Sequence, residues 1–146
     1  MKHGSGGRLL RVVVDTNVFI SAFLYPERPI FQVLQQAGQG RYLLLTSPVI
    51  VREVGTVMRE DLAWEEVVRI RHLKTLTKAA EIIFPRITLQ VIKEDPPDNR
   101  ILECAVEGKA DLMVSGNHHL LRFKSYQGIP IVRPIDFLRT LGVSTK

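Results

Sequence analysis

The five residues Leu10-Arg11-Val12-Val13-Val14 constrain the fold most. Three consecutive β-branched residues disfavour helix, and a run that is apolar at successive positions has no polar face to offer water. Such a run is a strand buried on both sides, as in a parallel sheet covered by helices. Similar runs return at Tyr42-Leu43-Leu44-Leu45-Thr46, Leu89-Gln90-Val91-Ile92, Leu112-Met113-Val114-Ser115 and Ile131-Val132. Helical stretches separate them. Thr16 to Leu24 stops near Pro26, and Ile30 to Ala37 is closed by Gly38 and Gly40. Ser47-Pro48 supplies an N-cap and a first-turn proline for a helix to Arg59. Leu62 to Phe84 reads as one or two helices packed as a hairpin, anchored by Trp64 and Phe84. Pro96-Pro97-Asp98 opens a helix to Glu107 that stops at Gly108, and Pro134 to Leu141 closes the chain. This alternation predicts a three-layer α/β/α fold with a mainly parallel central sheet.

A length of 146 residues suits one domain, expected over residues 9–146, behind a small, polar and basic leader at residues 1–8 expected to be disordered. No apolar run reaches the ~18–20 residues that cross a bilayer. The single cysteine, Cys104, excludes an internal disulfide, sits among Ile101, Leu102 and Ala105, and reads as a core thiol. A soluble, cytoplasmic protein is expected. The net charge of +5 permits a polyanionic partner without requiring one.

In a parallel sheet the ligand crevice lies beyond the carboxyl ends of the strands. Asp15 follows Val14 directly and projects from such an end; capping the next helix is the alternative reading. Glu53 stacks with Val49 and Val57 at a spacing of four, which puts a carboxylate on an apolar stripe unless it sits at the stripe's edge, reaching water or a nearby arginine. Asp98 begins a helix, again as cap or as site residue, and Asp95 precedes it by three. Asn117 lies past the strand that ends near Ser115. Carboxylates gathered at one cleft repel one another unless a cation neutralises them, and an oxygen-rich set selects a hard ion such as Mg²⁺ or Mn²⁺.

These residues resemble the PIN-domain family. The resemblance is carried by Val14-Asp15-Thr16-Asn17-Val18-Phe19-Ile20-Ser21, by Glu53 within Ser47-Pro48-Val49-Ile50-Val51-Arg52-Glu53-Val54, by Asp95-Pro96-Pro97-Asp98-Asn99, and by Ala110-Asp111-Leu112-Met113-Val114-Ser115-Gly116-Asn117-His118-His119-Leu120-Leu121. It extends over residues 10 to 140, and the branch it looks most like is the prokaryotic toxin components of toxin–antitoxin pairs, the VapC-type ribonucleases. The resemblance implies a metal-dependent endoribonuclease using Mg²⁺ or Mn²⁺, with Asp15, Glu53 and Asp98 as metal-binding acids. Thr16, Asn17, Asp95, Asn99 and Ser115 would support them. It also implies an RNA substrate, a cognate antitoxin protein and a homodimer. One position departs from the pattern, because the family carries an acid where this chain has Asn117. An amide brings no charge, so a weakened or inactive PIN domain that binds RNA or a partner is the alternative. A receiver-like domain with Asp15 as phosphoryl acceptor is a third reading, but a receiver carries its acceptor on a middle strand.

Two further sets carry chemistry of their own. His118-His119 are adjacent, and neighbouring helical residues point about 100° apart, so the pair does not converge on one ion. Phosphate contact or exposure is the expectation for both. Arg71, Lys74 and Lys78 share a helical stripe, read as a solvated face with RNA contact as the minor alternative.

Overall fold

The computed structural model describes residues 8–145. Of the expected leader, residues 1–7 lie outside the described residues, while Arg8 pairs with both carboxylate oxygens of Asp111 at 2.9 Å.

The valine run forms β1 (Arg11–Val14) and leads through Asp15 into α1 (Thr16–Leu24). A 3₁₀ turn (Pro29–Phe31) runs into α2 (Gln32–Gly38), followed by β2 (Leu43–Thr46). Next is α3 (Pro48–Thr56), whose cap Ser47 accepts from the Ile50 N–H at 3.3 Å, extended by a π turn over Val57–Asp61. Then come α4 (Glu66–Ala79), β3 (Ala80–Ile82), α5 (Asp98–Glu107), β4 (Leu112–Val114), α6 (His118–Leu121), β5 (Ser125–Tyr126), β6 (Ile129–Val132) and α7 (Pro134–Thr140).

The sheet order is β3-β2-β1-β4-β6-β5, parallel throughout except for the β5–β6 hairpin. Val12, Val13 and Val14 are all 0% exposed, and side chains alternate faces along a strand, so both faces of β1 are covered. Full burial of each such side chain contributes about 1.5–3 kcal/mol. On one face α5 packs over β1, β2 and β4, bringing Ile101, Leu102, Cys104 and Ala105 into the core. Cys104 is fully buried, and burial pushes its thiol up to about 12, in keeping with a core thiol. Gly108 follows α5 as its C-cap, and a Cβ there would stand 2.8 Å from the Cys104 carbonyl oxygen.

Three expectations need correction. Residues 62 to 84 do not form a helical hairpin: α4 is one helix that passes straight into β3, paired with β2 from Leu44–Ala80 to Thr46–Ile82. Trp64 does pack, 5.2 Å from the His72 ring, but Phe84 is 71% exposed and anchors nothing. Leu89 to Ile92 is not a strand, because its N–H groups are taken by side chains of α5. Glu103 accepts from Leu89 N at 2.7 Å, and Asn99 Oδ1 accepts from Val91 N and Ile92 N at 2.9 and 2.8 Å.

Candidate metal centre

The chain reverses its direction of travel across the sheet at β1, with β2 on one side and β4 on the other. In open parallel sheets the crevice at such a switch point is where ligands bind. Asp15 sits at the carboxyl end of β1 and Ser115 just past the end of β4, held together by the Asp15 N–H donating to the Val114 carbonyl at 2.9 Å. Asp15 occupies the N-cap position of α1, yet its side chain caps nothing. Its carboxylate instead accepts from Ser115 Oγ at 2.6 Å and is 3% exposed. Burial lifts its pKa from 3.8 to about 6, opposed by the Ser115 hydrogen bond and increased by the charges of Glu53 and Asp95.

Asp98 is the first residue of α5, and its side chain likewise turns into the site. Its Oδ2 accepts from Asn117 Nδ2 at 2.9 Å. Burial, then the charges of Asp15 and Asp95, raise it from 3.8 to about 7. Asp95 stands one tight turn away, its carbonyl accepting from the Asp98 N–H at 3.0 Å. That turn is held by the buried Asn99, whose Nδ2 donates to the carbonyls of Ile92 and Pro96 at 2.8 and 3.0 Å.

Glu53 arrives from α3 and accepts from Thr16 Oγ1 at 2.8 Å. The buried stripe of that helix runs through Ile50, Val54 and Met58, while Val49 is 41% exposed. Glu53 is therefore at the edge of the apolar face, not within it, and Thr16 is the partner that holds it. A cavity of about 370 Å³ beside it is lined by Arg52, Thr56, Pro96, Pro97 and Arg100.

The remaining candidates divide. Asn17 is exposed on α1. Asn117 is not turned to offer oxygen: its Oδ1 caps α6 by accepting from the His119 N–H at 2.9 Å, and its nitrogen faces Asp98. Its own N–H donates to Ser115 Oγ at 2.9 Å. Arg71, Lys74 and Lys78 are not brought to the carboxylates. The helix that carries them ends where β3 begins, so Lys78 lies at the amino edge of the parallel strands, opposite Asp15. Asp111 is at that edge too, paired with Arg8 and accepting from the Arg11 N–H at 2.8 Å.

His119 was missed. Asp95, Asp98 and His119 each present a ligand atom within 4.8 Å of the others. Its Nδ1 is 3.7 Å from Asp98 Oδ2 and is buried without a hydrogen-bond partner. The available signal was Asn117 as a helix cap, which puts residues 118 and 119 in a first turn at the strand end. Hard carboxylate oxygens joined by one orphaned imidazole nitrogen form a donor set that fits a divalent cation.

A family model for the PIN domain matches residues 11–119. The chain is 29% identical over 120 residues to an uncharacterized protein of Methanocaldococcus jannaschii, covering 79% of this chain and 76% of that one. Among solved structures, PAE2754 from Pyrobaculum aerophilum is similar with a TM-score of 0.64 at 16% identity, covering 91% of this chain and 90% of the other. VapBC2 from Rickettsia felis, bound to a DNA fragment from its promoter, is similar with a TM-score of 0.63 at 14% identity, over 85% and 98% of the two chains. At these identities the two structures speak for the fold.

Proposed function

The chain belongs to the PIN-domain family, and on that premise we propose that it is a divalent-metal-dependent endoribonuclease, the toxin component of a toxin–antitoxin pair. The observation that carries this reading is the acidic cleft at the β1–β4 switch point, where Asp95 and Asp98 lie within ligand distance of each other. Burial there, with the charges of Asp15, Glu53, Asp95 and Asp98 acting on one another, pushes Asp15 and Asp98 up to about 6 and about 7. Buried acids that repel one another are a site for positive charge. When bound, a divalent cation supplies Lewis acidity toward the phosphodiester and activates water for attack on phosphorus.

In this reading Asp15, Asp98 and Glu53 hold the cation, with Mg²⁺ and Mn²⁺ both candidates. Ser115 fixes the rotamer of Asp15, and Thr16 fixes Glu53. Asn99 holds the turn that carries Asp95, so that acid approaches along one path. Arg52, lining the cavity next to Glu53, provides positive charge for a phosphate beside the scissile bond, whereas Arg100 on the same wall is paired with Glu103 at 2.9 Å. The partners proposed are RNA, a cognate antitoxin and a second copy of the chain. Val67 and Ile70 on α4, 66% and 44% exposed, are apolar surface that supports protein partners. Among the described residues no helix is long and apolar enough to cross a membrane, and we place the protein in the cytoplasm.

A second reading, a PIN domain that binds RNA or a partner without turnover, is favoured by Asn117, whose amide occupies the position of an acid and is committed to Asp98 and the α6 cap. RNA cleavage by the purified chain with Mn²⁺, Mg²⁺ or EDTA, beside Asp15→Asn, separates the two. The nuclease reading expects divalent-dependent cleavage that Asp15→Asn lowers at least about a hundredfold. Cleavage unaffected by EDTA and by Asp15→Asn refutes it. Salt-sensitive RNA binding with no cleavage selects the second reading.

A further inference from the structure

We propose that Nδ1 of His119 ligates the cation, standing in for the acid that the family carries at position 117, and that this nitrogen makes the site prefer Mn²⁺ to Mg²⁺. The proposal rests on the reading above in one respect, that a divalent cation binds at Asp98.

Asn117 itself is excluded by its hydrogen bonds. Its oxygen is bound to the His119 N–H, and its NH₂ group, a donor without a lone pair for a metal, faces Asp98 Oδ2. The same cap bond fixes the backbone of the next candidate. With the N–H of His119 held at 2.9 Å, its ring enters the space beside Asp98. His118, although its ring centroid is 4.2 Å from that of His119, is on the exposed side of the turn. Adjacent helical residues diverge, as expected; here one of the pair converges with acids from a different element.

The distances are those of ligands waiting on a shared ion. Donors about 2.1 Å from a small divalent cation stand about 3.0 Å apart when adjacent and about 4.2 Å apart when opposite. Asp95, Asp98 and His119 offer atoms within 4.8 Å of one another, and Nδ1 is 3.7 Å from Asp98 Oδ2. That separation is too long for a hydrogen bond, and Nδ1 has no other partner although it is shielded from solvent. A buried nitrogen without a partner calls for an explanation, and a lone pair aimed at a cation provides one. The choice of ion follows from donor chemistry. Mg²⁺ takes oxygen almost exclusively and holds its waters tightly, whereas imidazole is accepted by transition metals, Mn²⁺ included.

The test uses the full chain freed of metal with EDTA. Mn²⁺ binding is read by the loss of its free-ion paramagnetic resonance signal, and Mn²⁺ and Mg²⁺ binding by titration calorimetry. The set is the parent, His119→Gln, His118→Gln, His119→Glu and Asp98→Asn. His119→Gln is expected to weaken Mn²⁺ at least about tenfold while moving Mg²⁺ little, and His118→Gln to move neither. His119→Glu, which restores a carboxylate, is expected to shift the preference toward Mg²⁺, a gain that no loss of folding imitates. Mn²⁺ affinity unchanged in His119→Gln, or Mn²⁺ and Mg²⁺ weakened in parallel, overturns the assignment. If Asp98→Asn abolishes binding while His119→Gln does not, the role of His119 falls and the metal site stands. A parent that binds neither cation overturns both.

Discussion

Changing Asp98 to Asn asks whether the fold holds an acid whose charge it cannot stabilise alone. Burial and neighbouring charges lift Asp98 from 3.8 to about 7. In the folded chain the acid keeps its proton up to that higher value, whereas the unfolded chain releases it near 3.8. The metal-free fold therefore loses stability as pH rises between the two values, and the full loss is present above about pH 7. At about 1.4 kcal/mol per pH unit the ceiling is about 4 kcal/mol. Two effects lower it. Part of the repulsion belongs to the pair with Asp15 and not to Asp98 alone. Asn also gives up a carboxylate in the first turn of α5, worth about 0.5–1 kcal/mol against the helix dipole. A net stabilisation of about 2–3 kcal/mol at about pH 8 remains, or roughly 5–10 °C in Tm for a chain of this size. Thermal and urea unfolding in EDTA, at about pH 8 and about pH 5, measure it. At the lower pH the folded parent is already protonated at Asp98, and the advantage shrinks to less than half. Added Mn²⁺ should reverse the ranking, because only the parent gains binding energy. A variant that is less stable than the parent at about pH 8, or whose effect is the same at both pH values, refutes the reasoning.

Asn117→Asp should act in the opposite direction. It keeps an N-cap for α6, since Asp caps as well as Asn, but removes the donor to Asp98 and adds a like charge. Metal-free stability should fall by about 1–3 kcal/mol at about pH 8, with divalent affinity raised; melting curves with and without Mg²⁺ check both. Cation binding should also release protons. With Asp15 and Asp98 raised to about 6 and about 7, both must lose theirs, so affinity should fall as pH drops through that window. Calorimetry in buffers of different ionisation enthalpy counts those protons, and an affinity that does not change across the window contradicts the raised acids.

The central strands were legible because their burial leaves no choice: a run such as Val12-Val13-Val14 has no face for water, and Asp15 behind it has to project from the strand end. The edges were not legible. β3 is Ala80-Glu81-Ile82, without an apolar run and continuous with α4, so nothing in the sequence divides helix from strand. The apolar alternation of Leu89 to Ile92 misled for the opposite reason, since its backbone groups are satisfied by Glu103 and Asn99 without a neighbouring strand. Glu53 was found through a stripe that turned out to be an edge; the useful pairing was with Thr16, remote in sequence and close in space. The adjacency of His118 and His119 argued against a shared ion, but the approach of His119 to Asp95 and Asp98 depends on where α5 begins relative to the end of β4.

Position 117 shows how one atom redistributes roles in such a cleft. A carboxylate there would add a further negative charge beside Asp15 and Asp98, which already hold their protons to about 6 and about 7. The amide does the reverse: its NH₂ donates to the ionised form of Asp98 and opposes the rise in its pKa. The amide thereby leaves a better-balanced metal-free cleft and supplies no anionic ligand. Its oxygen, turned away to cap α6, fixes the turn on which His119 approaches the same carboxylate. The amide that offers no hard donor thus also positions a softer one. The two effects separate in a single comparison of Asn117→Asp with Asn117→Ala. Asp restores charge and keeps the cap, whereas Ala loses both the donor to Asp98 and the cap, which alone is worth about 1 kcal/mol. If the cap positions His119, Ala should lower Mn²⁺ affinity while Asp raises it. A Mn²⁺ affinity in Asn117→Ala equal to the parent's would mean that the ring needs no cap to reach the site.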